Sequence, residues 1–404
     1  MNIDHHAAPG CSFRRIVWPL AVAETIVWAA YYYSFPALLL IWERDLGWTK
    51  AELAGAFTLA LLVSATLAPV VGRLIDRGFA EQIFAGGAML GALLLAALSA
   101  MNALWQFYLI WLGLGVAMAA TLYEACFAVL TCSLGKAAKR GITRVALVAG
   151  FAGTVSFPSA HILSSWFGWR SAVLVFAAAV ALIALPLIII ACRTARPHFG
   201  AHAQPASLKV TDAIKVIRLS AFWWLSVLFA AIALGHGVLL THLLAILDAR
   251  GVEQKTAVIA ASMIGPMQVA GRLLMITLGR HASTFAVFVV CMMFTALASL
   301  SLLQADVSIV FLYGFVALQG AGYGVTSIIK PIFVAERLGR QNFGTVAGFL
   351  AIAFVGGSAI APTMAAMIWK LGGYDPVIWF ALVLSILGLV ALAAIGRPVT
   401  TEPG

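Results

Sequence analysis

Charged residues are scarce in this chain of 404 residues: only 10% are charged, whereas 63% are hydrophobic. Soluble domains carry about 25% charged residues. There are therefore too few polar side chains to cover the several soluble domains that a chain of this length could otherwise form. The surface must face an apolar solvent, and we expect that solvent to be a lipid bilayer.

Cysteine is also sparse, with five residues at positions 11, 126, 132, 192 and 291 and no Cys-x-x-Cys pair. This spacing indicates neither a zinc site nor a disulfide framework, so no metal and no other cofactor is predicted. The chain also lacks a phosphate-binding loop and the Gly-x-Ser-x-Gly and His-Glu-x-x-His motifs. The prediction is therefore a protein that is not an enzyme, and an ATP-driven pump is excluded for this chain alone.

Long apolar stretches are abundant. About 20 apolar residues in a helix span the ~30 Å hydrocarbon core of a bilayer. Twelve such stretches follow one another, at about 16–42, 51–72, 83–102, 105–134, 143–166, 169–192, 220–247, 257–279, 283–304, 307–335, 342–369 and 375–396. Because unpaired backbone groups are too costly in lipid, the stretches are predicted to be helices. The fold class is therefore an all-α membrane protein with twelve transmembrane helices.

A polar segment at 193–219 divides the chain into two six-helix halves, 16–192 and 220–396, which lie between an N-terminal segment, 1–15, and a tail, 397–404. The halves echo one another at an offset of 204 residues. The offset pairs Gly47, Gly135, Gly153 and Gly168 with Gly251, Gly339, Gly357 and Gly372, and Pro158 with Pro362. Two pseudo-symmetric six-helix halves are the architecture of one large class of transporters.

Lysine and arginine are distributed unevenly along these spans. If both chain ends are inside, 17 of these residues lie in inner segments, 6 lie in outer segments, and Arg272 and Lys330 lie within spans. The positive-inside rule then places both ends and the 193–219 segment in the cytoplasm. The same bias accounts for the net charge of +10 without nucleic acid as a partner. We expect a monomer in a bacterial cytoplasmic (inner) membrane.

Four charged residues are predicted within the membrane: Glu24 and Glu124 in the first half, and Arg272 and Lys330 in the second. At 1.5 Å per residue they lie roughly 8–15 Å from the cytoplasmic ends of their helices. A charge at that depth costs at least about 2.5–3.5 kcal/mol, so it normally faces a cavity or a partner. Two interpretations stay open: ion pairs that only fix helix packing, or a gate or a substrate and proton site between the halves.

Two further residues are candidates for binding substrate or protons. His236 lies between Gly235 and Gly237, where another backbone can approach closely, although a neutral histidine that only packs is an equal alternative. Tyr32 belongs to a run of three tyrosines in the first span, of which only one or two can face a cavity, because neighbours on a helix point about 100° apart.

The segment that follows the second span reads GRLIDRG from Gly72 to Gly78. It resembles the loop signature G-x-x-x-D-R-x-G-R-[RK] of the major facilitator superfamily. The sequence departs from that signature because Gly78 comes one place early and because Glu81 and Gln82 stand where basic residues are expected. The resemblance implies a gating motif in which a carboxylate at a helix end holds the neighbouring helix terminus. Its predicted members are Gly72, Arg73, Asp76 and Arg77.

A narrower resemblance is carried by SFPA at 34–37, by ERDLGWT at 43–49 and by Arg272 after Gly271. These segments are similar to monocarboxylate-type and oxalate-type carriers, in which such an arginine holds a carboxylate. Ala37 stands where those carriers have a lysine, and Gln268 stands where they have an acid one turn before the arginine. Proton-coupled lactate transport in the known manner is therefore in doubt, and the substrate can differ.

The resemblance implies a secondary active transporter that moves a small solute by alternating access with ion or proton coupling. The leading substrate class is a small organic anion, with Arg272 as its anchor and Glu24 or Glu124 as the proton site. The alternative is a proton-driven exporter of a drug, metalloid or metabolite, because acids in the first half equally suit cations or proton antiport. A membrane enzyme or a receptor-like sensor is less favoured, because paired catalytic groups and appended soluble domains are missing.

Overall fold

The computed structural model describes residues 9–134, 137–195, 218–278, 282–338 and 343–396. Within these ranges the chain forms helices joined by short turns and contains no strand. The predicted helical class is therefore confirmed. Most of the predicted N-terminal segment 1–15, most of the 193–219 linker and the tail 397–404 lie outside the described residues, so these three assignments stay predictions.

The first part of the chain contains nine α-helices and three π-helical turns within the described residues. The helices are α1 (Pro9–Val27), α2 (Ser34–Leu46), α3 (Lys50–Leu74), α4 (Ala80–Ala100), α5 (Leu104–Thr121), α6 (Tyr123–Leu134), α7 (Ala138–Ala149), α8 (Ala152–Ala179) and α9 (Leu185–Ala195). The π-helical turns are Trp28–Tyr33, Ile75–Phe79 and Val180–Ala184.

The second part of the chain contains seven α-helices within the described residues. They are α10 (Ser220–Thr241), α11 (Leu243–Ala249), α12 (Gln254–Leu278), α13 (Thr284–Leu303), α14 (Ile309–Leu338), α15 (Phe343–Trp369) and α16 (Tyr374–Ile395). The predicted apolar stretches fall on these helices, because a 20-residue apolar run can satisfy its backbone in lipid only as a helix.

Eleven helical stretches of the described chain are long and apolar enough to cross a membrane. One of them runs from Arg140 to Ala195 and has 56 residues, far more than the roughly 20 that one crossing needs. Its helix is interrupted at Gly168, which has φ 79° and ψ 159°. The sequence predicts one span on each side of this residue, at 143–166 and 169–192. The total of twelve spans stays a prediction.

The helices divide into two compact units. The first comprises the residues up to Trp48 and those from Leu59 to the linker, and the second comprises Thr49–Thr58 and the residues after the linker. In the first unit α1 packs against α7 and α9, and α4 packs against α5 and α8. In the second unit α10 packs against α15 and α16, and α14 packs against α12 and α13.

Glycine permits the closest helix contacts in each unit. In α4, a Cβ at Gly91 would overlap the hydroxyl of Tyr31, which donates a hydrogen bond to the carbonyl of Ala88 over 3.1 Å. In α14, a Cβ at Gly324 would lie 2.5 Å from the carbonyl oxygen of Gln268 in α12. Small residues at such contacts let helix backbones approach, which is how membrane helices associate without a hydrophobic driving force between them.

Large apolar side chains remain exposed on many helices of the described chain. Trp166 and Leu182 are each 75% exposed, and Val310 is 71% exposed. Soluble monomers rarely leave contiguous apolar surface of this kind uncovered. These side chains suit contact with lipid, which agrees with the membrane assignment from composition.

Candidate functional site

The first span of the first unit changes helix type where the candidate residues lie. Its α1 segment ends at Val27, and a π-helical turn carries Trp28–Tyr33 before α2 begins. Glu24, Trp28 and Tyr32 follow one another at four-residue intervals along this span, so their side chains share one side of it. Short π-helical segments occur frequently at functional sites.

Glu24 is fully buried in α1. Neither of its carboxyl oxygens forms a hydrogen bond of regular geometry with a described residue, and the indole nitrogen of Trp28 also forms none. The polar neighbours of the carboxyl are the Cys126 thiol, the Trp28 indole and the Glu124 carboxyl. A buried polar group without a strong partner is costly, so this site calls for a structural or functional explanation.

Glu124 lies where the fourth long apolar stretch, 105–134, is broken. Helix α5 ends at Thr121, Leu122 is extended with φ −80° and ψ −170°, and α6 begins at Tyr123. The break places Tyr123 and Glu124 in the first turn of α6, where a negative charge is favoured by the helix dipole. The Glu124 side chain is exposed, unlike that of Glu24.

Aromatic rings cluster around Trp28, whose indole faces the Glu24 carboxyl. Ring centroids are 4.8 Å apart between Trp28 and Tyr123, 5.3 Å apart between Trp28 and Tyr32, and 4.9 Å apart between Tyr123 and the stacked ring of Phe127. All four side chains are half-buried. The structure thus brings Glu24, Glu124 and Tyr32 together in one unit with Trp28 and Tyr123. Their predicted role in binding substrate or protons stays a prediction.

Arg272 lies in α12 of the second unit and is 6% exposed. Its Nε donates a hydrogen bond to the carbonyl of Gly324 in α14 over 2.9 Å. This bond crosses the contact at which Gly324 approaches Gln268. The backbone carbonyl therefore fixes the direction of the guanidinium group.

Lys330 lies two turns further along α14 and contacts aromatic rings. Its ammonium nitrogen is 3.4 Å from the ring centroid of Phe354 and 5.6 Å from that of Phe229. Contacts of this kind between a cation and a ring are attractive, and they gain strength where water is excluded. Both predicted bases of the second half are thus accommodated within their own unit, and their pairing with the acids of the first half stays a prediction.

His236 belongs to a polar cluster inside the second unit. Its ring stacks on Tyr323 with centroids 3.4 Å apart, and its Nδ1 lies 3.2 Å from the Nε2 of Gln319. The space beside them is also lined by Thr295 and Ser385, and it is about as large as one buried water requires. The Gln319 Oε1 is buried without a hydrogen bond to a described residue, so a water molecule would suit it.

The other histidine of this span has a structural role. His242 ends α10, and its two ring nitrogens lie 3.2 Å from the Tyr374 hydroxyl and 3.1 Å from the Pro362 carbonyl.

Across the described residues, no group of three or more His, Cys, Asp or Glu side chains could hold a metal ion.

The predicted gating motif begins at the end of α3 and continues into the π-helical turn Ile75–Phe79. Gly78 has φ 93° and ψ 6°, a backbone conformation that glycine adopts at little cost. The side chains of Arg73 and Asp76 lie outside what the structure describes, and Arg77 is exposed. The backbone turn is therefore visible, whereas the predicted charge latch stays a prediction.

The comparisons with known proteins identify the class. A family model of the Major Facilitator Superfamily matches residues 20–315. That is more than half of the chain, and the chain belongs to this family, as its loop signature predicted. It is a multi-pass membrane protein and a secondary transporter. The narrower likeness to monocarboxylate-type and oxalate-type carriers stays a prediction.

Solved structures support the same fold. A crystal structure of a mutant of the nucleoside transporter NupG is similar, with a TM-score of 0.71 and 14% sequence identity. The similarity covers 96% of this chain and 99% of that chain. At this identity the likeness shows the fold alone. No curated protein sequence matches the chain significantly.

Proposed function

We propose that this transporter is proton-coupled and that it moves a small solute across a bacterial cytoplasmic membrane by alternating access. The observation that carries the proposal is the state of Glu24. Its carboxyl is fully buried in the first span, and neither oxygen forms a regular hydrogen bond with a described residue. Ionisable residues inside membrane spans commonly belong to proton relays and substrate pathways.

The physical argument concerns the two forms of this carboxyl group. An ionised carboxylate is costly where water is excluded and no strong donor faces it, whereas the neutral acid costs much less. Glu24 is therefore suited to hold a proton while its surroundings are closed to water, and to release it when they open. In alternating access, such a cycle links proton movement to solute movement.

The substrate class is a separate part of the proposal. The sequence favours a small organic anion, and the buried Arg272, oriented by the Gly324 carbonyl, suits bidentate binding of a carboxylate. A cation is the second candidate, and a specific observation favours it. Glu24 and Glu124 lie in one unit beside half-buried aromatic rings. The direction of transport is left open in both cases.

Vesicle transport tests the proton coupling. The purified chain is reconstituted, and uptake of labelled phenylacetate, benzyltrimethylammonium and uridine is measured with and without an imposed pH gradient. We expect the gradient to accelerate the flux of at least one of these probes in the wild type. Glu24→Gln should still exchange the same probe, and its flux should no longer respond to the gradient.

The matched control is Glu81→Gln. Glu81 lies in the same unit and forms an ion pair of 2.8 Å with the exposed Arg193; such surface pairs contribute about 0–1 kcal/mol to stability. This variant should respond to the gradient as the wild type does. A wild-type flux that is the same with and without the gradient would contradict proton coupling.

A further inference from the structure

We infer that the first unit carries a binding site for an organic cation, formed by the rings of Trp28, Tyr32 and Tyr123 together with the carboxyl groups of Glu24 and Glu124. The inference rests on the proposed function, because it names the substrate class of the site that contains Glu24. It favours the cation over the organic anion that the sequence places first.

The exposure of the rings distinguishes this group from ordinary core packing. The same unit contains a second aromatic cluster, in which Trp42, Phe107 and Trp111 are fully buried with centroids 5.4–6.2 Å apart. No acid is among its members. Trp28 and Tyr123 are in equally close contact with one another, yet both remain half-buried. Part of the surface of each ring therefore remains exposed in this unit.

Lipid is a poor candidate to cover those faces. Glu124 is exposed and directly follows Tyr123 in the chain, and a carboxylate facing hydrocarbon costs at least about 2.5–3.5 kcal/mol. Aromatic faces are electron-rich and attract cations, especially weakly hydrated ones such as quaternary ammonium groups. An exposed acid next in the chain to a half-buried ring therefore fits a ligand that is positively charged and partly apolar.

The groups that the structure gives around Glu24 favour a cation over an anion. The groups that face Glu24 are Glu124 and Cys126 from α6 and Trp28 from its own span, and Cys192 of α9 lies beside Cys126. None of these groups is basic. The arginines of the unit whose contacts the structure gives are engaged elsewhere. Arg44 pairs with Asp45, Arg140 and Arg144 lie against the Phe13 ring, Arg170 binds the carbonyls of Ser99 and Met101, and Arg193 pairs with Glu81.

Glu24 supplies the second observation that points to a ligand. It is fully buried and lacks a regular hydrogen bond to any described residue, and it lies one turn before Trp28 on the same side of the span. A bound cation would give its carboxylate a positively charged partner, whereas the neighbours that the structure gives are a thiol, an indole and a second acid. Proton and cation would then compete for one acid, which is the arrangement that exchange of the two requires.

Equilibrium binding to the purified full chain in detergent tests the site without transport. The probes are labelled benzyltrimethylammonium, phenylacetate as an anion of similar size, and benzyl alcohol as a neutral aromatic. We expect saturable binding of the cation alone. Trp28→Ala and Glu124→Gln should each weaken it by about tenfold, whereas Trp28→Phe, which keeps an aromatic face, should weaken it by about threefold at most.

Two control variants leave the site intact. Trp223→Ala removes a tryptophan that is 60% exposed on the second unit, and Glu81→Gln removes an acid of the first unit that pairs with Arg193. Both should bind the cation as the wild type does. Melting temperatures establish that each variant is folded, and if Trp28→Ala does not fold, Trp28→Phe and Glu124→Gln decide the outcome.

Three results would overturn the inference: no saturable binding of benzyltrimethylammonium, equal binding of the neutral probe, or binding of phenylacetate in its place. None of them affects the proton-gradient experiment, so proton coupling can survive the loss of the cation site. Conversely, if the protein binds the cation but its transport does not respond to the pH gradient, the cation site is supported and proton coupling is contradicted.

Discussion

The indole ring of Trp28 packs against the phenol ring of Tyr123, with their centroids 4.8 Å apart. Trp28 opens the π-helical turn of the first span, and Tyr123 opens α6 directly after the extended Leu122. The contact therefore joins two places at which a spanning helix departs from α-helical geometry. Interrupted helices are typical of transporter binding sites, because their helix ends and unwound backbone can face the bound substrate.

We expect Trp28 and Tyr123 to be energetically coupled. In the free energy of unfolding, a double-mutant cycle of Trp28→Ala, Tyr123→Ala and the double variant should give an interaction of about 0.5–1.5 kcal/mol. The same cycle on benzyltrimethylammonium affinity should also be non-additive. The control pair is Trp111 of the buried cluster and Phe35, a fully buried ring whose centroid lies 5.3 Å from that of Trp111. This pair should couple in stability but not in affinity. Strictly additive affinities at Trp28 and Tyr123 would contradict a shared binding surface.

Part of this site could be predicted from the sequence. Glu24 stands out because a carboxylate in an apolar stretch is costly, and the four-residue spacing of Glu24, Trp28 and Tyr32 was available as a signal for Trp28 as well. Tyr123 could not be placed in the same way. The extended Leu122 changes the orientation of the residues after it, and nothing in the apolar pattern indicates that break.

The helix positions followed from hydropathy, because burial in lipid demands long apolar segments. The interruptions did not follow from proline. Pro158, Pro266 and Pro362 lie inside helices, whereas the positions at which the backbone departs from helical geometry are Leu122 and Gly168, neither of which is a proline. Proline is tolerated in membrane helices because neighbouring groups satisfy the freed carbonyl. Hydropathy reports how apolar a segment is, and it does not indicate where the helix within that segment is interrupted.

The turn after the second span provides a prediction on stability. Gly78→Ala should destabilise the protein by about 1–2 kcal/mol, because φ is 93° there and a side chain disfavours that region. Space is not the cause, since a Cβ at Gly78 would have no heavy atom within 4 Å. Gly86→Ala is the matched control in the neighbouring α4, with equally open space and helical backbone, and it should be neutral or slightly stabilising. Equal melting temperatures of the two variants would contradict the strained turn.

A second stability prediction concerns the contact between α12 and α14. Gly324→Ala would place a Cβ 2.5 Å from the carbonyl oxygen of Gln268, which is backbone and cannot rotate away. We expect a loss of about 1–3 kcal/mol, which is typical of overpacking. Gly356→Ala in α15 is the control, because open space surrounds that position. A melting temperature of Gly324→Ala as high as that of the control would show that the helices can separate without cost.

Cation affinity should depend on pH in a defined direction. If proton and cation compete for Glu24, benzyltrimethylammonium should bind more tightly at pH 8 than at pH 6, because fewer protons then compete for that carboxyl group. In Glu24→Gln this dependence should become weaker, because the acid at which proton and cation compete is gone. The Glu81→Gln variant should keep the full wild-type dependence. An unchanged pH profile in Glu24→Gln would exclude Glu24 as the residue at which proton and cation compete.

Arg272 separates the two substrate classes. Its Nε donates to the Gly324 carbonyl, and a guanidinium held in this way can bind a carboxylate through two parallel hydrogen bonds. Lysine has a single point charge, so it cannot both bind the Gly324 carbonyl in this way and hold a carboxylate through two parallel hydrogen bonds. If the carrier moves an organic anion, Arg272→Lys should remain folded and raise the KM for that anion by about tenfold, while Arg193→Lys at an exposed position should not. Under the cation hypothesis, Arg272→Lys should leave benzyltrimethylammonium affinity unchanged. Transport by Arg272→Ala with wild-type affinity would remove the anion anchor and leave Arg272 as a packing residue between α12 and α14.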